Sequence, residues 1–374
     1  MKIGIVCYPS VGGSGVVATN LGNELARLGH KVHFISYETP FMLQLKARNI
    51  FFHKVNINEY TLFKYPDYTL PLTETIVAVH QKYHLDILHV HYAVPHATAA
   101  LLAKRILLAA GEKPPKIITT LHGTDITLLA NDPNLFTVIK YSIEKSNGVT
   151  AVSRNLKRET LRVLKTKKPI EVIYNFFSPP SPTKTPLAVR RSLKIKPDNF
   201  LAIHLSNLRP VKRIPDLLKI AKALKSDKRF KLLILAGETF APYQPLAQKF
   251  RLKNLIVKTH VKDIENYLNA ADLGIYTSET ESFGMGMLET MAYDNPVLAT
   301  KAGGVPEVMQ DGKTGFLLKV GNVNGFVNKI KVLMREPQLL QKLGRQAQQR
   351  AATEFSAQKI VSKYVDYYRK ILKK

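Results

Sequence analysis

Two glutamates flank a glycine-containing stretch of the chain, Thr280–Ala292. Glu281 follows the apolar run Leu273–Thr277, which predicts a buried strand, and Glu289 comes about two helical turns later if the chain is helical from Gly284 onward. Amides beside glycine can approach phosphate closely, and carboxylates accept hydrogen bonds from sugar and ribose hydroxyls. This combination is typical of a sugar-nucleotide site. Paired carboxylates also suit a glycoside hydrolase, but that chemistry needs no basic, glycine-lined phosphate site.

A basic loop follows another predicted strand, Phe200–Ser206. Its cations are Arg209, Lys212 and Arg213, three in five residues. Guanidinium and ammonium groups at the carboxyl end of a strand are well placed to bind a diphosphate. A solvated surface loop is the alternative explanation of the same spacing.

Glycines also follow the first predicted strand, at Gly12, Gly13 and Gly15. In front of a helix, such a loop lets a diphosphate approach the backbone. The pattern Gly13-x-Gly15-x-x-Ala18, with Glu38 as a ribose-binding acid, loosely matches a dinucleotide fingerprint, so an NAD-dependent oxidoreductase is an alternative. Against it, the glycines come several residues later than the tight turn that the fingerprint requires. A purely structural turn is the third interpretation.

Histidines gather near the ends of two further predicted strands. His122 follows Lys116–Leu121, where the next glycine leaves room for a ligand, although a hydrogen-bonded loop histidine would look the same. His89 and His91 should share one strand face, since side chains alternate along a strand, and His96 is close in sequence. No Cys or carboxylate accompanies these three at ligand spacing, so we predict no metal site.

Short Ile- and Val-rich runs alternate with amphipathic stretches along the chain, which predicts mostly parallel sheets covered by helices on both faces. The predicted strands are Lys2–Tyr8, Val32–Ser36, Ile87–Tyr92, Lys116–Leu121, Val149–Ser153, Glu171–Tyr174, Phe200–Ser206, Lys231–Ala236, Leu255–His260, Leu273–Thr277, Pro296–Thr300 and Gly315–Leu318. The first predicted helix is Val16–Leu28, whose apolar residues recur at helical spacing.

A proline-rich segment interrupts this alternation at 178–186, with four prolines in nine residues. We therefore predict an α/β protein with two doubly wound, Rossmann-like domains, 1–177 and 187–356, joined by this linker. An apolar stripe in Ala357–Leu372 predicts a final helix within 357–374. Ligands of such folds bind at the carboxyl ends of the strands, which we expect to face each other across a cleft.

The composition limits the function classes. The 374 residues carry 55 Lys and Arg against 28 Asp and Glu, a formal charge of +27, which should attract anions. The cations are scattered and no zinc-finger, RRM or KH signature accompanies them, so we predict no specific nucleic-acid partner; polyanion binding without catalysis is an alternative. The single cysteine, Cys7, suits a reducing cytoplasm. No stretch approaches the roughly 18 apolar residues of a membrane-spanning helix.

Taken together, the motifs resemble one enzyme family. The Glu281/Glu289 pair, the loop Ala302–Glu307 and the segment Asp311–Phe316 are similar to the retaining GT-B glycosyltransferases of family 4. Further motifs are similar to the members that glycosylate L-malate, namely Cys7–Gly15, His89–Ala97, Thr119–Asp125 and His204–Arg213. The resemblance implies transfer of N-acetylglucosamine from UDP-N-acetylglucosamine to the hydroxyl of L-malate, the first step of bacillithiol biosynthesis, with retention of configuration.

The resemblance also implies that the final helix packs back on the first domain, and it implies roles for particular residues. It assigns catalysis to His122, Glu281, Arg209 and Lys212. It assigns nucleotide-sugar binding to Gly13, Asn207, Phe283, Gly284, Met285 and Glu289. For the dianionic acceptor we predict contacts from strand-end groups of the first domain, Ser14, Tyr92, Thr120 and Arg154. No metal and no cofactor is implied, because cations and amides can stabilise the departing diphosphate.

Some features leave alternatives open. Many family members carry Gly-Arg where this chain has Ser206-Asn207, so Arg209 would act from a neighbouring position. The high charge is compatible with a lipid or inositol phosphate acceptor and with weak association with an anionic membrane. A membrane-surface enzyme would need a basic amphipathic helix in the first domain. The best candidate, Ala97–Ala110, has only two basic residues and is predicted to be a core helix. A homodimer also stays open.

Overall fold

The computed structural model describes residues 1–10, 12–57 and 67–374, and all structural statements below concern these residues. The strands are β1 (Lys2–Val6), β2 (Lys31–Ser36), β3 (Ile50–Lys54), β4 (Ile87–His91), β5 (Lys116–Leu121), β6 (Gly148–Ala151), β7 (Glu171–Val172), β8 (Phe200–Ser206), β9 (Phe230–Ala236), β10 (Leu255–Thr259), β11 (Leu273–Tyr276), β12 (Val297–Thr300) and β13 (Gly315–Leu318). Each of the twelve predicted strands is therefore found, most of them trimmed by one or more residues at their ends.

The helices alternate with these strands. They are α1 (Ser14–Arg27), α2 (Thr69–Tyr83), α3 (Thr98–Ala109), α4 (Thr124–Thr127), α5 (Pro133–Lys145), α6 (Arg154–Leu164), α7 (Pro186–Ser192), α8 (Ile214–Ala223), α9 (Gln244–Phe250), α10 (Ile264–Ala270), α11 (Met285–Met291), α12 (Val305–Val308), α13 (Val323–Arg335), α14 (Pro337–Glu354) and α15 (Ala357–Leu372). None of the described helices combines the length and the apolar character that crossing a membrane requires.

The chain divides into two compact units. The first comprises Met1–Asn175 together with Ala357–Lys374, and the second comprises Phe176–Ser356. The first unit thus ends two residues before the predicted boundary at 177. The predicted linker is also shorter than expected, because α7 begins at Pro186. Proline is tolerated at the first helical position, and the Thr185 side chain caps this helix by accepting a hydrogen bond from the Ala188 amide at 3.2 Å.

The first unit contains a parallel, seven-stranded sheet in the order β3-β2-β1-β4-β5-β6-β7. The order reverses between β1 and β4, which is where ligands of doubly wound sheets bind. The sequence did not predict β3, an edge strand with a mostly half-buried, unalternating pattern. In α15 the predicted stripe is buried, and it consists of Ile360, Tyr364, Tyr368 and Ile371.

Helix α3, which lies within the predicted core helix Ala97–Ala110, contributes one face to the core. It buries Ala99, Ala100, Ala103 and Leu107. Three larger apolar side chains are exposed, namely Leu102 at 40%, Ile106 at 42% and Leu108 at 47%. The helix therefore joins the core through one face, formed by these three alanines and Leu107, and exposes apolar side chains on the other.

The second unit contains a parallel, six-stranded sheet in the order β10-β9-β8-β11-β12-β13. Strands β11 and β12 are fully buried, and β9 is buried apart from Lys231, as expected for mostly apolar strands covered on both faces. The order reverses between β8 and β11, so the loops that follow these two strands start from neighbouring positions. The prediction of two doubly wound α/β domains is confirmed.

Candidate active site

The loops after β8 and β11 meet through an ion pair between two residues of the predicted site. Lys212 Nζ lies 2.7 Å from Glu281 Oε1, and both side chains are largely buried. The Ser278 hydroxyl donates to the same carboxylate oxygen at 2.7 Å. Glu281 Oε2 has no hydrogen-bond partner among the described residues, so it is the oxygen that a ligand hydroxyl can reach.

Glycines in the loop after β12 hold the backbone of Glu281 in place. The Gly304 amide donates to the Glu281 carbonyl at 2.7 Å. A Cβ on Gly303, which has φ +54°, would lie 2.0 Å from that carbonyl oxygen. Only glycine fits here, because the two backbones approach too closely for any side chain. The Ala-Gly-Gly motif of the sequence is thus explained as a support of Glu281.

Helix α11 carries the second carboxylate and packs tightly on β8. A Cβ on Gly286 would lie 2.7 Å from the Leu205 carbonyl oxygen, so glycine is what permits this approach. The Tyr276 hydroxyl fixes the helix by donating to the Gly286 carbonyl at 2.6 Å. The side chain of Glu289, one turn further on, has no hydrogen bond or ion pair within the described part of the chain. Burial raises the pKa of its carboxyl from 4.5 to about 7.

The remaining predicted donor-site residues lie in the same two loops. Arg209 is exposed, and the described residues provide it with no ion-pair partner. Asn207 has a buried side-chain oxygen, Oδ1, for which the described residues offer no donor. Phe283 is buried, Gly284 adopts φ +104°, and Met285 begins α11. The second unit thus brings two carboxylates, a paired lysine and an unpaired arginine to one end of its sheet.

In the first unit, the segments after β1, β4 and β5 meet. The Ser14 hydroxyl donates to the Tyr92 hydroxyl at 3.0 Å, and the Tyr92 ring lies 5.4 Å from the ring of His122. Gly13, with φ +58°, precedes α1 and has open space where a Cβ would be. Three predicted site residues, Ser14, Tyr92 and His122, are therefore brought together at the switch point of this sheet.

Thr120 lies near the end of β5, as predicted, with its side chain inside the sheet. It is fully buried, and its hydroxyl meets His89 Nε2 at 2.6 Å and the Thr150 hydroxyl at 2.6 Å. His89 Nδ1 in turn lies 2.7 Å from the Tyr368 hydroxyl of α15. The Thr120 hydroxyl thus has partners inside the sheet, and its contact with an acceptor stays a prediction.

The histidines form a neutral cluster in which His89, His91 and His96 are buried and His122 is partly exposed. Burial lowers the pKa of His89 and of His122 to about 3 and the pKa of His96 to about 4, and it lowers the pKa of His91 well below its usual value. The rings of His89 and His91 lie 4.5 Å apart, which confirms that they share one strand face. Among the described residues, no three His, Cys, Asp or Glu side chains are grouped as metal ligands.

The loop after His122 is held by the carboxylate of Asp125. The last predicted acceptor-binding residue, Arg154, lies outside this loop. Asp125 is buried and accepts a hydrogen bond from the Gly123 amide at 2.9 Å; burial raises its carboxyl pKa to about 6. Arg154 is exposed and begins α6, directly after the capping residue Ser153.

Sequence reasoning missed two supporting side chains. Ser278, which donates a hydrogen bond to Glu281, comes two residues after the end of β11. Its position near a strand end was the only signal in the sequence. Tyr368, which holds His89, lies 279 residues away in sequence, and no local pattern connects the two.

Comparisons with known proteins identify the class. The sequence profile described as Glycosyltransferase Family 4 matches residues 11–181, and the one described as Glycosyl transferases group 1 matches residues 188–350. The N-acetyl-alpha-D-glucosaminyl L-malate synthase of Bacillus anthracis is 40% identical over 376 residues, covering 100% of this chain and 98% of that protein. The chain therefore belongs to glycosyltransferase family 4.

Solved structures agree with the fold. A glycosyltransferase from Rickettsia africae ESF-5 has a TM-score of 0.81 at 24% identity, covering 100% of this chain and 98% of its own. Anabaena HepE, solved in complex with UDP-glucose, has a TM-score of 0.81 at 20% identity, covering 99% of this chain and 100% of its own. Both are structural neighbours of the GT-B type.

Proposed function

We propose that this chain transfers N-acetylglucosamine from UDP-N-acetylglucosamine to the hydroxyl of L-malate and retains the α configuration. The observation that carries the proposal is the 40% identity to the Bacillus anthracis synthase, which extends over the entire chain and so includes both sheets and their loops. The second unit also supplies the groups that a sugar nucleotide needs: carboxylates for its hydroxyls, Glu281 and Glu289, and cations for its diphosphate, Arg209 and Lys212.

The nucleotide and its sugar would use the two carboxylates differently. Glu289 would accept hydrogen bonds from the ribose hydroxyls, which supply the partners that it lacks within the described residues. Glu281 would bind the sugar through Oε2, since Lys212 and Ser278 occupy Oε1. His122 would contact a hydroxyl of the transferred sugar, and Gly13 would lie under the diphosphate.

Leaving-group stabilisation would fall to cations and amides. Arg209 would bind the departing diphosphate directly, and Lys212 would do so with the N–H groups that its bond to Glu281 leaves over. Amides of Phe283–Met285 would add further donors. We therefore propose that the reaction requires no metal.

The bond changes balance without a protein nucleophile. The bond between the anomeric carbon and the β-phosphate oxygen breaks, and UDP leaves with the electron pair. The malate oxygen forms its bond to the same face of that carbon, and its proton passes to the departing phosphate oxygen. Ser14 and Tyr92 would orient the acceptor, and Arg154 would offset its negative charge.

A UDP-release assay with a panel of acceptors tests the proposal. We expect release with L-malate and little or none with succinate, which keeps both carboxylates but lacks the nucleophilic hydroxyl. Nuclear magnetic resonance of the product should show an α linkage. Transfer to an inositol phosphate or a glycerolipid, with malate ignored, would overturn the acceptor assignment. Absence of transfer together with saturable NAD(H) binding would overturn the glycosyl-transfer proposal itself.

A further inference from the structure

His91 and His122 share one hydrogen bond between ring nitrogens. His91 ends β4 and His122 follows β5, the neighbouring strand, so both side chains start from the same end of the sheet. His91 Nδ1 lies 2.8 Å from His122 Nε2. Burial keeps both imidazoles neutral at physiological pH by lowering the pKa of each. One of these two nitrogens must therefore carry the proton and the other must accept it.

The second nitrogen of His91 decides the direction. His91 Nε2 is buried and has no partner among the described residues. If His122 donated, the single proton of neutral His91 would have to sit on Nε2, as a buried donor without an acceptor. If His91 donates from Nδ1, Nε2 is only an unpaired acceptor. Buried donors without acceptors are the rarer of the two in proteins, so the second arrangement is favoured.

A neighbour in the same cluster has the arrangement that this argument selects. His96 Nδ1 is bonded to the carbonyl oxygen of His91, which can only accept, so His96 carries its proton on Nδ1. Its Nε2 is likewise buried without a described partner. The cluster thus already contains one imidazole whose unprotonated Nε2 is buried and unpaired.

We propose that His91 is a positioning residue that donates to His122 and thereby holds it as the tautomer with its proton on Nδ1. His122 is partly exposed, and its Nδ1 is not among the buried unpartnered atoms. In this tautomer His122 presents an N–H donor to a ligand and has no free lone pair with which to act as a base. The inference rests on the proposed contact of His122 with the sugar, and it fits proton transfer to the departing phosphate.

The decisive experiment reads the tautomer in the wild-type, ligand-free protein. In protein with ¹⁵N-labelled histidine, long-range proton–nitrogen correlation spectra distinguish protonated from unprotonated ring nitrogens. We expect a protonated Nδ1 and an unprotonated Nε2 for His122. The reverse pattern overturns the inference, whatever the enzyme does with malate. This measurement needs no variant and no activity, so it separates failure of the inference from failure of the proposed function.

Variants then test the consequence for catalysis. His91→Asn keeps an N–H donor near the position of Nδ1, whereas His91→Leu removes it. We expect His91→Leu to lower kcat/KM by about tenfold to a hundredfold with unchanged UDP affinity, and His91→Asn to restore most of the loss. His33→Leu is the matched control, because it removes a buried histidine pair elsewhere in the unit, His33 with His53 at 3.0 Å. Equal losses in the Asn and Leu variants, or in the control, would contradict the positioning role.

Discussion

The pH dependence of nucleotide binding should follow the carboxyl group of Glu289. Burial raises its pKa to about 7, and no described cation pairs with it. In the free protein at neutral pH, this group is therefore divided between its protonated and its ionised form. Ribose hydroxyls donate hydrogen bonds, which favour the ionised form. Affinity for UDP-N-acetylglucosamine should accordingly rise as the pH rises through 7 and fall below it.

The size of this effect follows from the fraction of Glu289 that is ionised. That fraction falls about tenfold between pH 8 and pH 6 for a group with a pKa near 7, so the Kd should rise about tenfold, or ~1.4 kcal/mol. Both phosphates of a nucleotide sugar are esterified and do not titrate in this range. His204 stays neutral throughout, because burial lowers its pKa to about 4.

Calorimetry at pH 6, 7 and 8, in two buffers of different ionisation enthalpy, measures both the affinity and the proton release. At pH 7, binding should release about half a proton. Glu289→Gln is the matched control: it keeps the size, cannot ionise, and should bind more weakly at pH 8 by about 1.5–3 kcal/mol with no remaining pH dependence. A wild-type Kd that is flat from pH 6 to pH 8, or an unchanged slope in the Gln variant, would refute the reasoning.

Three further predictions use the same contacts. Lys212→Ala should lower kcat more than it raises KM, since it removes charge that acts on the leaving diphosphate. The activity of the wild-type enzyme should survive excess EDTA. A loss of activity that one divalent ion restores would contradict the metal-free mechanism. Tyr92→Phe should raise the KM for malate several-fold, while calorimetry shows nearly unchanged UDP affinity. Glu289→Gln should raise the free energy of unfolding, and the gain should be larger at pH 8 than at pH 5. The reason is that the pKa of Glu289 in the folded protein lies above the usual 4.5, so its ionisation destabilises the wild-type fold. Urea titrations at both pH values check this.

Most of the sheet could be predicted from the sequence because its strands are buried on both faces. Such strands are mostly apolar runs, as in Phe200–Ser206, and need no tertiary information to be recognised. The edge strand Ile50–Lys54 escaped because it is only half buried and has neither a continuous run nor a clean alternation. Its place in the sheet is fixed by pairing with β2, which is a non-local contact.

The sequence could predict site residues only from their position after a predicted strand. Lys212 and Glu281 were both expected near a phosphate and a sugar, but their ion pair depends on β8 and β11 being neighbours in the sheet. Thr120 shows the limit of the argument from strand ends. Its position at the end of β5 suggested a ligand contact, whereas the pairing with neighbouring strands directs its hydroxyl to His89 and Thr150.

The two glutamates of the Glu-x₇-Glu pattern look equivalent in sequence, yet their surroundings give them different tasks. Glu281 is fixed before any ligand arrives, by Lys212 and Ser278 at one oxygen and by the glycine loop at its backbone. Glu289 has no such partners among the described residues, and desolvation makes its charge costly until a ligand donates to it. Capture of the nucleotide should therefore depend on pH near neutrality, because it requires the ionised form of Glu289.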